Sequence, residues 1–306
     1  MIIVADKKQN TDGVAHKMLS YVESKIPIVL MSRTARFKFN EELKKLDKYI
    51  LVEFSEMGWD WKFGDTHVWG SNTEKFPQFQ GEEYKKFDEW VAQNPPLLTF
   101  ARELLQKDVS EKLIPVDYPC WYEPTAIDDK RAFDGRPVSA FYFWGRSHEA
   151  RLRLHGNMWI KASQRGFSVC DNLNYFEKFV FEEEGRKIVS LWIPHYGRVD
   201  VREIIGRQML SKISIAMPGA GIKTFRNCES SINSVMMKWK DNLAWSYPWD
   251  EANCLLTEEG KEIDDIEAAL NNPNLYEIYK AGVANCQRYQ INNYITNYIQ
   301  PKINAL

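Results

Sequence analysis

At 306 residues, with 44% apolar and 27% charged side chains, the chain has the composition of a globular protein and the length for two domains of ordinary size. A formal net charge of -2 offers no global field for a nucleic acid, and no apolar run approaches the roughly 18 residues of a bilayer span. Five cysteines (120, 170, 228, 254, 286) never form CxxC, and five histidines (16, 67, 148, 155, 195) never form HExxH. This pattern predicts reduced thiols, no metal centre and no disulfide framework. The N-terminus, MIIVADKKQN, runs directly into charge without a signal core, which predicts a cytoplasmic protein with no membrane span.

The first third alternates short apolar runs with helical patterns. Residues 2–6 (IIVAD), 26–32 (IPIVLMS) and 49–55 (YILVEFS) read as strands. Between them, residues 13–25 place Val14, Met18, Tyr21 and Val22 on one helical face, and 40–48 (NEELKKLDK) read as a short helix. A helix over 81–93 is ended by Asn94-Pro95-Pro96, and 97–100 (LLTF) and 113–116 (LIPV) follow as strands. Fully apolar strands separated by helices predict a parallel sheet covered on both faces, half of a doubly wound domain. Over 120–137 the pattern loosens into a linker with two prolines and mixed charge.

The rhythm then restarts. Strands are predicted at 138–145 (VSAFYFWG), 167–171 (FSVCD), 188–194 (IVSLWIP), 212–218 (KISIAMP) and 242–248 (NLAWSYP), with a helix over 150–166. The tail over 275–303 sets Leu275, Tyr279, Val283, Tyr294 and Tyr298 at helical spacings, the pattern of a docked helix. The expectation is therefore α/β, with two domains facing a cleft, 1–132 and 133–285, and a docked helix over 286–306.

Two stretches carry candidate chemistry. The strand FYFWGR ends at Gly145-Arg146, with Arg151 five residues on, so that two guanidinium groups can reach one diphosphate. Between Arg146 and Arg165 lie five basic residues and one acid, Glu149. The second stretch, SIAMPGAGIKTFR over 214–226, reads as a strand, a glycine turn and a helix, the grammar of a phosphate site. It is not a Walker A loop, because Ile222 separates Gly221 from Lys223, and it is not a dinucleotide fingerprint, because Thr224 stands where a third glycine is required. Gly219 and Gly221 let backbone amides approach a phosphate; Lys223, Thr224 and Arg226 follow, and Glu229 lies three residues beyond Arg226, suited to accept two ribose hydroxyls or to pair with that arginine. After the third strand, EFSEMGWDWKFGDTH offers Glu56, Asp60, Asp65 and His67 beside Trp59 and Trp61, aromatic faces that pack on sugars or bases next to carboxylates able to deprotonate a hydroxyl.

The layout resembles a glycosyltransferase of the GT-B architecture, which implies two Rossmann-like domains with the donor site in the second and a C-terminal helix, 286–306, crossing back to the first. Gly145-Arg146 with Arg151 resembles the Gly-Arg and downstream lysine of retaining members, an arginine here replacing the lysine, and GAGIKTFRNCES resembles their glycine-rich loop and ribose-binding glutamate in the form seen in exostosin-like and spore-coat-type enzymes. The resemblance covers mainly 138–306 and implies a nucleotide-sugar, UDP-linked foremost, as co-substrate with no tightly bound cofactor. Arg146, Arg151 and Lys223 would stabilise the leaving diphosphate without metal, since no Asp-x-Asp occurs. Gly221 stands where many retaining families carry a second glutamate, which leaves the stereochemistry open. The acceptor it implies is a glycan, a small molecule, or hydroxymethylated DNA as in phage enzymes. Two other classes fit the residues: another two-domain nucleotide-binding enzyme, epimerase-like or kinase-like, and a non-catalytic two-lobed binding protein.

Overall fold

The computed structural model describes residues 1–6, 13–31, 37–54, 82–124, 127–142, 164–166, 169–171, 178–181, 187–190, 201–216 and 223–306. The N-terminal part builds β1 (Ile2–Val4), α1 (Gly13–Leu19), β2 (Ile28–Met31), a 3-10 turn (Glu41–Lys45), β3 (Ile50–Glu53), α2 (Glu82–Gln93), β4 (Leu98–Ala101), a second 3-10 turn (Gln106–Asp108) and β5 (Leu113–Pro115). These strands form one parallel sheet in chain order, with Ile28 beside Ile50 and Ile50 beside Leu98. All residues of β2, β3 and β4 are buried, as strands covered on both faces require. Alternation divides them: Ile28, Leu30, Ile50 and Val52 share a core with α1, while Val29, Met31 and Leu51 share another with Tyr84, Phe87, Trp90 and Val91 of α2.

The remainder builds α3 (Lys130–Asp134), β6 (Val138–Tyr142), β7 (Val169–Asp171), β8 (Lys178–Phe181), β9 (Lys187–Ser190), α4 (Val201–Met209), β10 (Ser211–Ala216), α5 (Phe225–Ser230), β11 (Val235–Trp239), β12 (Leu255–Thr257), α6 (Glu262–Leu270) and α7 (Leu275–Tyr289). The chain closes with α8 (Ile291–Tyr294), a π-helical turn (Ile295–Ile299) and α9 (Gln300–Asn304). A second five-stranded parallel sheet runs β12-β11-β10-β6-β7.

Three local expectations are corrected. Residues 242–248 form no strand; the strand is β11, just upstream, and the backbone of this stretch is satisfied elsewhere. Leu243 makes one antiparallel bridge with Leu105, in which Ala244 N–H donates to Leu104 O (2.7 Å); beyond it Ser246 N–H donates to Asp117 Oδ2 (2.6 Å) and Tyr247 N–H to Tyr289 Oη (3.1 Å), so the ladder goes no further. The strand expected at 188–194 begins at Lys187–Ser190, where it pairs antiparallel with β8 outside the five-stranded sheet; 191–194 lie outside the described residues. Residues 40–48 hold only a single 3-10 turn, capped by Asn40, whose Oδ1 accepts Glu42 N–H at 3.1 Å. Of the helix predicted over 150–166, only 164–166 are described; there Arg165 pairs with Asp264 and Glu267 of α6.

The C-terminal helices return to the first sheet. Leu275, Tyr276, Tyr279 and Val283 of α7 pack in the second sheet's core with Ile213, Ile215, Val235 and Met237. One turn later Cys286 and Tyr289 belong with Ile28, Leu30, Val52 and Phe100, and Ile291, Tyr294, Ile295, Ile299 and Ile303 continue on that face against Ala15, Met18 and Leu19. The tyrosines of the tail are therefore packing residues. A parallel bridge between Cys120 and Gln290 fastens the docking, and Gln300 Oε1 accepts from Glu23 N–H while its Nε2 donates to Glu23 O.

Candidate active site

The second sheet contains a reversal of strand order. From β6 the chain steps outward to β7 on one side, then resumes on the other side of β6 with β10, β11 and β12. Open α/β sheets hold ligands outside the strand carboxyl ends at such a reversal. Here the two strands flanking it are β6 and β10, in register with Ile215 beside Tyr142. Beyond Tyr142 the chain leads to Gly145, Arg146 and Arg151; beyond Ala216 it leads to Gly219 and Gly221. Those five residues lie outside the described residues, as do Glu56, Asp60, Asp65 and His67 beyond the carboxyl end of β3. The two strands that deliver the diphosphate candidates are adjacent and parallel.

Past β10, α5 begins at Thr224, an extended N-cap whose backbone N–H donates to Asn227 Oδ1 at 2.8 Å. Arg226 stands in the first turn of this helix and Glu229 one turn later, where it is half-buried. The inner side of α5 is fixed by Cys228, whose thiol donates to Tyr118 O at 3.5 Å and whose carbonyl accepts from Cys286 Sγ at 3.3 Å. Burial pushes both thiols up, so neither is a nucleophile at neutral pH.

Lys223 differs from expectation. Its ammonium is 1% exposed and does not present a free charge to a diphosphate. Nζ pairs with Asp117 Oδ1 at 2.6 Å, donates to Ala244 O and to Val116 O (3.5 Å), and lies 5.0 Å from the Trp245 ring. Its backbone N–H donates to Glu103 Oε1 at 3.0 Å. A buried ammonium needs compensation for lost hydration, and Asp117 with two carbonyls provides it. Lys223 is thus held inside the protein rather than offered to a leaving diphosphate.

The surroundings of Lys223 form a buried polar cluster. Arg102 Nε is 3.6 Å from Glu103 Oε1, its Nη1 donates to Tyr118 Oη, and its guanidinium lies over Phe54 and Tyr118. Lys238, at the end of β11, pairs with Asp241, whose other oxygen accepts Trp245 Nε1–H at 3.1 Å. Burial pushes the Glu103 carboxyl up to about 8, against the opposing pull of Arg102 and Lys223. Sequence reading missed this cluster. Its signal was present: Arg102-Glu103, Asp117 and Lys238 are charges at the carboxyl ends of otherwise apolar strands, where a sheet meets its ligand or its partner.

Among the described residues, no group of three His, Cys, Asp or Glu side chains could hold a metal ion, and no helix is long and apolar enough to cross a membrane. No protein-family model matches the sequence, and no curated protein is similar to it. Solved structures are similar in fold. TarM superposes with a TM-score of 0.52 at 10% identity, over 95% of this chain and 57% of its own. HepE of Anabaena, determined in complex with UDP, superposes at 0.53 and 9% identity over 96% of this chain and 82% of its own. The α,α-trehalose 6-phosphate synthase of Burkholderia multivorans gives 0.53 at 8% identity over 94% and 72%. The chain has the GT-B fold of glycosyltransferases. It spans little more than half the length of TarM, and the likeness extends across both of its parallel sheets.

Proposed function

We propose that this chain is a nucleotide-sugar-dependent glycosyltransferase that moves a sugar from a UDP-linked donor to a hydroxyl acceptor in the cytoplasm. The observation that carries the reading is the strand reversal at β6 and β10 within a GT-B fold, which brings the leads to Gly145-Arg146 and to the glycine-rich segment to neighbouring strand ends. In this reading Gly145, Arg146 and Arg151 take the diphosphate, the guanidinium groups supplying paired donors to its oxygens. Gly219 and Gly221 admit backbone amides, Thr224 and Arg226 open the helix beside them, and Glu229 accepts the ribose hydroxyls. Charge appears on the departing diphosphate as the glycosidic bond breaks, and Arg146 and Arg151 stabilise it without a metal. Glu56, Asp60 or Asp65, past β3, takes the acceptor proton.

Thermal unfolding with and without nucleotide tests the reading. The UDP complex of HepE makes UDP the first ligand to try. A ligand at 100 times its dissociation constant adds about 2.7 kcal/mol to a native state that alone binds it, a rise of a few degrees in Tm. The rise is expected in EDTA, and Glu229→Ala should abolish the rise over that variant's own unliganded Tm. A rise only with added divalent ion overturns the metal-free mechanism. Preference for a triphosphate returns the chain to a kinase-like reading, and no rise with any nucleoside diphosphate removes the donor site. With the donor found, transfer to a glycan, a small-molecule alcohol or hydroxymethylated DNA assigns the acceptor.

A further inference from the structure

Lys223 immediately precedes the N-cap of α5, and its three strongest partners come from outside the second sheet. Glu103 follows β4, Asp117 follows β5, and Ala244 lies in the stretch whose backbone is hydrogen-bonded to Leu104. Asp117 is itself held: its Oδ2 accepts Ser246 N–H (2.6 Å) and Tyr289 Oη–H (3.3 Å), and its backbone N–H donates to Tyr294 Oη (2.8 Å). Lys223, Asp117 and Glu103 are 1%, 2% and 5% exposed, so these bonds are made away from water, where losing one strands its partner. On the other side of Lys223, α5 carries Glu229.

We propose that Glu103 and Asp117 are positioning residues for the nucleotide site, acting through Lys223 to fix the start of α5 and so the placement of Glu229. The inference rests on the donor reading given above and adds to it that first-sheet residues, which touch no nucleotide, set nucleotide affinity. The division of labour is specific. Glu103 holds the Lys223 backbone by a single accepted hydrogen bond, a task an amide oxygen performs equally well. Asp117 neutralises the ammonium, a task that requires charge.

The test compares Glu103→Gln, Glu103→Ala and Asp117→Asn with wild type, measuring UDP affinity by calorimetry well below each Tm and hydrogen exchange of the α5 amides. Glu103→Gln should keep UDP affinity within about threefold, whereas Glu103→Ala should weaken it by at least tenfold, the scale of one buried hydrogen bond lost. Asp117→Asn should weaken it similarly, and Asp117→Asn combined with Lys223→Met should recover part of the loss, because no unpaired ammonium remains buried. Protection of α5 should fall in Glu103→Ala and persist in Glu103→Gln. Lower Tm in the variants with unchanged UDP affinity overturns the inference and leaves only a structural cluster. Should wild type bind no nucleoside diphosphate, the donor reading fails by itself; α5 exchange then judges the anchor, and equal protection in all variants overturns it.

Discussion

Glu103 shows how one buried carboxyl links pH to stability. Its folded-state pKa, raised to about 8 by burial, lies well above that of an unfolded glutamate, roughly 4.3. Between those values the native state keeps a proton that the unfolded chain has released. Stability from this group is therefore complete below the lower value and declines until pH passes the upper one, by at most about 1.4 kcal/mol per pH unit. Arg102, Lys223 and Asp241 are the charged groups acting on it, and Glu103→Gln changes none of them. Denaturant titrations of wild type and Glu103→Gln from pH 5 to 9 should show the variant gaining relative stability as pH rises. A difference that stays constant with pH would mean that Glu103 is ionised throughout.

At the scale of elements, α7 carries the load between the two cores. Gly282 lies on the side of this helix that meets the turn after Trp249, and a Cβ there would come within 2.6 Å of Asn253 O. In an open helix, Gly→Ala stabilises by about 1 kcal/mol through propensity. Here the contact is with backbone, which cannot swing aside, so Gly282→Ala should destabilise by about 1–3 kcal/mol, the range for overpacking. The sign of the Tm change decides, and a rise would show that the turn yields. The same close approach brings Asn285 Nδ2 to Pro248 O (3.0 Å) and Tyr289 Oη to Tyr247 O (2.6 Å). Thus α7 seats the 240–249 stretch whose Ala244 receives Lys223.

For the molecule as a whole, the apolar cluster that runs from Met18, Leu30 and Phe100 to Met236 and Ile303 makes the tail part of the fold. Each large apolar side chain withdrawn from water contributes about 1.5–3 kcal/mol, so Ile291, Tyr294, Ile295, Ile299 and Ile303 together are comparable to the roughly 5–15 kcal/mol net stability of a typical domain. A chain ended at Gln290 is expected to lose cooperative unfolding and to bind a hydrophobic dye at 25 °C. A wild-type melting curve for that truncation would instead make the tail an accessory.

The sequence by itself determined the α/β class, the strands from β1 to β6 and at β10, and the docked tail, because each depends on local apolar runs and on periodicity within a few turns. It also marked Gly145-Arg146 and the strand-turn-helix at 214–226 as candidates, since strand ends and glycines are local signals. Tertiary structure decided the remainder. A lysine after a glycine turn reads the same whether it faces a phosphate or a buried aspartate, and only the approach of β5, more than a hundred residues upstream, turned Lys223 into a partner of Asp117. Residues 242–248 have the alternation of a strand, yet after a single bridge to Leu105 their backbone groups are taken by Asp117 and Tyr289. The strand reversal that sets β6 beside β10 is likewise absent from any local pattern, because strand order is fixed by which long-range pairings bury the most apolar surface.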